Sequence, residues 1–389
     1  MIDQQQAQIT NWLASQQSAM VALLRDVVDL DSGSYDKAGV DAVGERFIQF
    51  FETAGMAATR EPHTTFGDAI HVRLDDAPSN EKPIVLMGHR DTVFPKGEVA
   101  QRPFRVDGDR AYGPGVADMK AGLVMNAFVM AAFKKFGGNP APLAALITAD
   151  EEIASPSSRP VIERVARSAR CVFNAEPGRP TGAVVTGRKG GVFMILDVEG
   201  RAAHSGGAFE KGISAIGELA HKIVAIDNLT DLAKGITLNV GLVRGGQSVN
   251  TTAPTAVGEI DMRYIQAADR ARTLSAIERI VATSTVPGAT ARLTIRGEFL
   301  PLNQTTESEQ LFAGYRSAAA DAGLTIAGEF SGGCADSGFT AAVGCPTLCS
   351  TGPVGGNAHT VDEYLELSSM VPRAQALALA ILRLPVVPN

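Results

Sequence analysis

The chain carries histidines and carboxylates in short clusters, a pattern typical of metal sites. The candidates are His89, Asp91, Asp118, Glu151, Glu152, Glu176 and His359. Several carboxylates a few ångströms apart cannot all ionise without a compensating cation. A divalent metal would compensate them, and mixed nitrogen and oxygen ligands suit zinc, with cobalt or manganese as substitutes. One shared carboxylate would hold two such ions about 3.5–4 Å apart.

Each of these residues alone also has an ordinary structural interpretation. A histidine after a strand is commonly a hydrogen-bonded surface residue, and a Glu-Glu pair commonly begins a solvated helix. Asp118 by itself suits a helix N-cap. The joint placement of the candidates favours a metal site, but the residues alone leave both interpretations open.

Short apolar runs precede these clusters and predict the elements that position them. IVLMG precedes His89, LAALITA precedes Asp150, and CVFNA precedes Glu176. Such runs suit strands buried on both faces, and helical segments such as Asp118–Phe136 alternate with them. This alternation predicts an α/β architecture with a mostly parallel sheet. Because ligands bind beyond the carboxyl ends of such strands, we expect the candidates to converge in one crevice.

Two other regions have patterns of their own. Residues 1–55 predict two amphipathic helices, separated by an acidic, Ser/Gly-rich break at 29–37 and ending before Gly55. Between about residues 190 and 300 the order strand, helix, two strands, helix, strand predicts an inserted α+β, ferredoxin-like domain. The expected division is 1–188 and 303–389 for the catalytic α/β domain and 189–302 for the insertion.

Composition excludes several classes of function. The 389 residues are 45% hydrophobic and 20% charged, as expected for a soluble globular protein. No apolar run suits a membrane span, and a net charge of −7 argues against nucleic-acid or anionic lipid partners. The amino terminus lacks the features of a secretory signal, which predicts a cytoplasmic protein. The sequence has no GxSxG, HExxH or GxxxxGK[ST] motif, and Cys334 suits a buried thiol better than a nucleophile.

The motifs around the candidates resemble a known family. GHRDTVFPKG, RAYGPGVADMKAG, TADEEIAS, NAEP, GRAAHSGG and GGNAHTVDEY occur in the order and spacing of the M20 family of di-zinc metallopeptidases. Within it the chain looks most like the glutamate carboxypeptidase (carboxypeptidase G2-like) branch, over about residues 20–385. The implied zinc ligands are His89 and Glu176 for one ion, Glu152 and His359 for the other, and Asp118 as the bridge.

The resemblance also implies roles for residues that do not bind metal. Asp91 would fix the orientation of the His89 ring, and Glu151 would be the general base. The Asp118–Met119 peptide bond is expected to be cis. In the inserted domain, which would act as a lid and dimerisation domain, His204 would reach across a homodimer to steady the oxyanion in the partner's active site. Asn250 and Arg263 would hold the terminal carboxylate of the substrate.

The implied activity is hydrolysis of the amide bond before a C-terminal amino acid, with an N-acyl amino acid or short peptide as substrate. An aminoacylase acting on small N-acyl amino acids is the first alternative, and a non-catalytic binding protein on the same fold is the second. Arg188, Lys189 and Cys334 differ from the residues of the glutamate carboxypeptidase branch. These differences leave the released amino acid and the acyl group open.

Overall fold

The computed structural model describes residues 3–74 and 81–385. The described chain divides into two compact units. The first unit comprises Met1–Gly187, Leu302–Ser331 and Ala335–Asn389, and the second comprises Arg188–Pro301 and Gly332–Cys334. The second unit is therefore formed almost entirely by one continuous insertion in the first.

Helices and strands alternate through most of the chain. The helices are α1 (Gln4–Ala14), α2 (Gln17–Val28), α3 (Lys37–Thr53), α4 (Glu98–Gln101), α5 (Ala121–Phe136), α6 (Ser158–Arg167), α7 (Ala215–Asp227), α8 (Ala267–Ala282), α9 (Thr306–Asp321), α10 (Ser337–Ala342) and α11 (Met370–Leu382). The strands are β1 (Ala58–Glu61), β2 (Ala69–Leu74), β3 (Ile84–His89), β4 (Arg105–Asp107), β5 (Arg110–Tyr112), β6 (Leu143–Thr148), β7 (Cys171–Asn174), β8 (Val184–Arg188), β9 (Gly190–Glu199), β10 (Thr237–Gly245), β11 (Thr255–Tyr264), β12 (Thr290–Phe299), β13 (Gly328–Ser331), β14 (Thr347–Cys349), β15 (Gly355–Gly356) and β16 (Tyr364–Glu366).

The first unit is built on an eight-stranded sheet in the order β1-β2-β6-β3-β7-β14-β8-β13. Its four central strands, β6, β3, β7 and β14, run parallel, whereas β1–β2, β2–β6 and β14–β8 pair in the antiparallel sense. Every residue of β3 is buried, as expected for a strand covered on both faces. The predicted α/β architecture is confirmed, and the parallel strands form the centre of the sheet.

Helix α5 forms the middle of the core of the first unit. Every residue from Ala121 to Phe133 is buried, and Gly137 follows the end of the helix with a positive φ. Together with the turn before it, the stretch Val116–Phe136 is long and apolar enough to cross a membrane, but 94% of its apolar window is buried inside the protein. This burial is what a core helix of an α/β unit requires.

The amino-terminal region differs in detail from its prediction. It forms three helices, α1 to α3, rather than two, because the first predicted stretch is interrupted at Ser15 and Gln16. The Ser15 hydroxyl donates a hydrogen bond to the Trp12 carbonyl oxygen, a local bond that competes with helix continuation. The predicted break before α3 is present, and Gly55 follows that helix with a positive φ.

The second unit is a four-stranded antiparallel sheet in the order β10-β11-β9-β12. Along the chain its elements run β9, α7, β10, β11, α8, β12, the order that the sequence pattern predicted. Buried and half-buried residues alternate along β9 and β11, so one face of the sheet packs against the core that contains α7 and α8.

Candidate metal centre

The carboxyl ends of three neighbouring strands bring the candidate ligands together in the first unit. His89 is the last residue of β3, Glu151 and Glu152 follow β6, and Glu176 follows β7. These three strands are adjacent in the order β6-β3-β7, so the residues after them emerge side by side.

The separations between the candidate ligand atoms suit two metal ions. Ligand atoms about 2.0–2.1 Å from one zinc at the tetrahedral angle lie about 3.3 Å apart. His89 Nε2 lies 3.3 Å from Asp118 Oδ1, and His359 Nε2 lies 3.4 Å from Asp118 Oδ2 and 3.1 Å from Glu152 Oε2. The distance from His89 Nε2 to Glu176 Oε1 is wider, at 3.8 Å. Each oxygen of Asp118 therefore faces a different histidine, as a bridging ligand requires.

The chemistry of these atoms also fits a divalent cation. Within the described part of the chain, His89 Nε2 and Asp118 Oδ1 are buried atoms with no hydrogen-bond partner. Buried polar atoms are normally paired, because leaving one unpaired costs free energy. A cation bound between the imidazole nitrogen and the carboxylate oxygen would satisfy both atoms at once.

The pKa values show how strongly the cluster demands positive charge. Burial raises the pKa of Glu151 well above its usual range, and burial together with the charge of Asp118 raises the pKa of Glu152 to about 7. Hydrogen bonds to Asp118 and Glu152 raise the pKa of His359 to about 10. Without another cation the cluster therefore holds protons at neutral pH, in agreement with the expected repulsion between its carboxylates.

Asp91 organises the site through more contacts than the predicted one with His89. It is fully buried, and its Oδ1 lies 3.3 Å from His89 Nδ1, whose nearest acceptor is the backbone oxygen of Asp91 at 3.1 Å. The backbone N–H groups of Glu151 and Glu152 each donate to an Asp91 carboxylate oxygen at 3.1 Å. The Ser34 hydroxyl donates to the same carboxylate at 2.7 Å. Asp91 therefore fixes both the histidine and the Glu151–Glu152 turn.

The turn that carries Asp118 has an irregular backbone. Residues 116–120 precede α5, and the Asp118–Met119 peptide bond is cis, as predicted. The buried carboxylate of Glu363 accepts hydrogen bonds from backbone N–H groups of this turn. Glu363 lies within the GGNAHTVDEY motif, four residues after His359, yet neither it nor Ser34 was predicted to contribute to the site. The spacing from His359 is the only sequence signal that could have indicated Glu363.

A pocket of about 520 Å³ lies beside the candidate ligands in the first unit. It is lined by Gly33, Ser34, Tyr35, Asp36, Thr92, Val93, Phe94, Pro95, Lys96, Glu152 and Ile153. Tyr35 and Val93 are 77% and 43% exposed, so the wall presents large apolar surfaces. Its one cationic lining residue, Lys96, pairs with Asp36, with 3.1 Å between Nζ and Oδ2.

The remaining predicted site residues lie in the second unit. His204 is exposed, and its Nδ1 accepts hydrogen bonds from the Gly206 and Gly207 N–H groups, which leaves the proton on Nε2. The His204 segment pairs with the Asn250 segment, because the Ser205 N–H donates to the Asn250 carbonyl oxygen at 2.9 Å. These contacts bring His204 and Asn250 into neighbouring loops of one unit.

Arg263 is already engaged on two sides. Its Nε and Nη2 donate to the two carboxylate oxygens of Asp261 at 2.7 and 2.9 Å, and its Nη1 donates to Cys334 Sγ at 2.8 Å. Arg188 is buried and donates to the Gly333 and Cys334 carbonyl oxygens. Arg188 therefore supports the loop that carries Cys334. The Nε and Nη2 edge of the Arg263 guanidinium group is occupied by the Asp261 carboxylate.

Comparisons with known proteins agree with the motifs. The family model described as peptidase family M20/M25/M40 matches residues 85–383. The chain is 28% identical over 372 residues to carboxypeptidase G2 of Pseudomonas sp. (strain RS-16), covering 93% of this chain and 88% of that protein. It is 27% identical over 375 residues to succinyl-diaminopimelate desuccinylase of Gluconobacter oxydans (strain 621H), covering 90% and 93% of the two chains. The structure of an M20 family metallo-carboxypeptidase, Sso-CP2 from Sulfolobus solfataricus, has the same fold, with a TM-score of 0.79, 17% identity, and coverage of 93% of this chain and 98% of that one.

Proposed function

The chain belongs to peptidase family M20/M25/M40 and is a hydrolase of the metallopeptidase class, and on this basis we propose that it cleaves the amide bond before a C-terminal amino acid in an N-acyl amino acid or short peptide. The observation that carries the proposal is the arrangement of Asp118 between His89 and His359, beside a pocket of about 520 Å³. Glutamate is the amino acid that the resemblance favours.

Two zinc ions suit the ligand set, with cobalt or manganese as substitutes. His89 and Glu176 would hold one ion, Glu152 and His359 the other, and Asp118 both. When bound, such ions would lower the pKa of a water molecule and place positive charge near the scissile carbonyl group. The five ligand residues all come from the first unit, so one compact unit supplies the whole set.

Glu151 is proposed as the general base. Its carboxylate lies beside the ligands, with Oε2 at 3.9 Å from His89 Nε2, and it is almost fully buried. Burial raises its pKa well above the usual range, so its carboxylate is a stronger base than an exposed one. Glu151 would take the proton of the attacking water and later pass it to the leaving amine.

The pocket beside Glu152 favours an uncharged, apolar acyl group. Its walls include Tyr35, Val93 and Phe94, and Lys96 is already paired with Asp36. A succinyl group would bring a further carboxylate to a pocket whose lining already contains Asp36 and Glu152, with Lys96 as the one cation among its described lining residues. We therefore favour aromatic or aliphatic acyl groups over succinyl groups, which separates this proposal from a desuccinylase activity.

The second unit is proposed to recognise the amino acid and to form a homodimer. Asn250 and Arg263 would hold the free carboxylate, with Arg263 donating from the guanidinium N–H bonds that are not directed at Asp261 or Cys334. The Nε2–H of His204 would donate to the oxyanion in the partner's site. Strand β10 supports dimerisation, because it is an edge strand with exposed Leu242 and Val243, and such edges readily pair with another chain.

A hydrolysis screen tests the proposal on both sides of the amide bond. N-benzoyl, N-acetyl and N-succinyl derivatives of one amino acid are compared, and N-benzoyl derivatives are then varied in the amino acid and in its free or amidated carboxylate. We expect kcat/KM to be higher for the benzoyl derivatives than for the succinyl derivatives, by about tenfold or more. Amidation of the carboxylate should abolish turnover, and chelation should remove it reversibly. Hydrolysis that persists after complete chelation would refute the metal-dependent function, whereas a preference for succinyl groups would refute only the acyl pocket.

A further inference from the structure

Glu363 is a buried carboxylate that binds backbone rather than metal. It is 0% exposed. Its Oε2 accepts from the Gly115 N–H at 3.0 Å, and its Oε1 accepts from the Ala117 and Asp118 N–H groups at 2.8 and 3.0 Å. Three N–H groups of one turn therefore converge on a single carboxyl group, both of whose oxygens act as acceptors.

The same short segment carries a candidate metal ligand. His359 and Glu363 are separated by tight turns, in which the Thr360 N–H donates to the Asn357 carbonyl oxygen and the Glu363 N–H donates to the Thr360 carbonyl oxygen. His359 itself has a positive φ of 65°, a conformation that needs support from its surroundings. Glu363 thus ties the His359 loop to the Asp118 turn, although the two are more than 240 residues apart in sequence.

A buried lysine belongs to the same segment as Asp118. Lys120 is fully buried, and its Nζ donates to the Leu30 carbonyl oxygen at 3.0 Å. Among the described residues, its electrostatic partners are Glu363, Asp31 and Asp29. The segment 115–120 that contains Asp118 therefore supplies Glu363 with three N–H donors and also carries the buried Lys120 side chain.

We propose that Glu363 is a positioning residue that sets the distance between Asp118 and His359, so that its loss selectively weakens binding of the metal ion shared by these two ligands. The proposal rests on the proposed two-metal function. A glutamine at this position has almost the same shape, but one of its two acceptor oxygens becomes a donor and opposes a backbone N–H group. Residues that orient metal ligands in this way typically contribute about 10–100-fold to metal affinity.

The test compares Glu363→Gln with Glu366→Gln in the full-length protein. Glu366 undergoes the same chemical change three residues later, but its side chain is partly exposed and lies 3.9 Å from Arg110. Zinc affinity is measured by competition with a chromophoric chelator, and the visible spectrum of the cobalt-loaded protein reports ligand geometry. Melting of the metal-free proteins shows whether each variant folds.

We expect Glu366→Gln to bind two ions with the same affinities as the wild type. Glu363→Gln should keep one tight ion and bind the second about 10–100-fold more weakly, with an altered cobalt spectrum and with turnover recovering at excess metal. If Glu363→Gln binds both ions as tightly as the wild type and its cobalt spectrum is unchanged, the positioning role is overturned, but the proposed function is not. If Glu363→Gln fails to fold, Glu363→Asp decides, because it keeps the charge but shortens the reach: unchanged affinity for both ions would overturn the proposal, and a weakened second ion would support it. Absence of stoichiometric metal from the wild type would instead refute the proposed function.

Discussion

Replacing Glu151 by glutamine separates proton transfer from metal binding. Glutamine keeps the shape of the side chain but does not accept a proton at neutral pH. The backbone of residue 151 stays anchored, because its N–H donates to Asp91 in a contact that the substitution does not touch. A general base contributes about 10²–10⁴-fold to a reaction rate. We therefore expect kcat to fall by about that factor, which corresponds to about 3–5 kcal/mol in activation free energy.

The adjacent carboxylate provides the matched control. Glu152 Oε2 lies 3.1 Å from His359 Nε2, within the range expected for two ligands of one ion, and Glu151 is the proposed base rather than one of the five proposed ligands. Glu151→Gln should therefore keep both metals and lose turnover, and Glu152→Gln should lose one metal. Elemental analysis and steady-state kinetics on the same preparations measure both effects. Turnover of Glu151→Gln within about threefold of wild type, or loss of one ion from that variant, would refute the base assignment.

Four further outcomes are expected. Asp91→Asn places an amide donor against a backbone N–H group and should lower kcat or metal affinity by about 10–100-fold; equal values for variant and wild type would contradict its organising role. Because the pKa of His359 is raised to about 10, this ring holds a proton at pH 7 that metal binding must displace, and metal affinity should fall on acidification. Calorimetry in buffers of different ionisation enthalpy should detect the released proton. Metal binding without proton release would count against His359 as a ligand. His204→Ala chains mixed with Glu151→Gln chains should regain activity if the active sites are shared between the two chains of a dimer. Val243→Lys should be monomeric by light scattering. A dimeric Val243→Lys protein would exclude this part of the β10 edge as the interface.

The sequence predicted those helices and strands whose apolar and polar residues follow a recognisable local pattern. Strands β3, β6 and β7 were recognisable because burial on both faces demands continuous apolar runs, and the polar residues after them mark the carboxyl edge of the sheet. The second unit was recognisable because its strands alternate between buried and wetter positions. The small sheet of β15, β16, β5 and β4 was not predicted, because strands of two or three residues contain too few positions to show a period.

The contacts that organise the site were less predictable than the candidate ligands. Asp91 binds residues about 60 positions away, and Glu363 binds a turn almost 250 positions away, so neither partner leaves a local signal. Asp261 is a different case. It is two residues from Arg263 on the same strand, and side chains at that spacing lie on one face of a sheet. The pairing of Arg263 with Asp261 could therefore have been predicted from the alternation alone.

Asp91 and Glu363 solve the same physical problem at two places in the site. Loops that carry metal ligands expose backbone N–H groups, and those groups must find acceptors once they are buried. A carboxylate satisfies two or three of them at once and holds the turn in one conformation, while the N–H groups stabilise its charge. Asp91 does this for the Glu151–Glu152 turn and Glu363 for the Asp118 turn. Because these bonds form within the protein itself, they help to hold the Asp118 carboxylate within 3.4 Å of the imidazole nitrogens of His89 and His359.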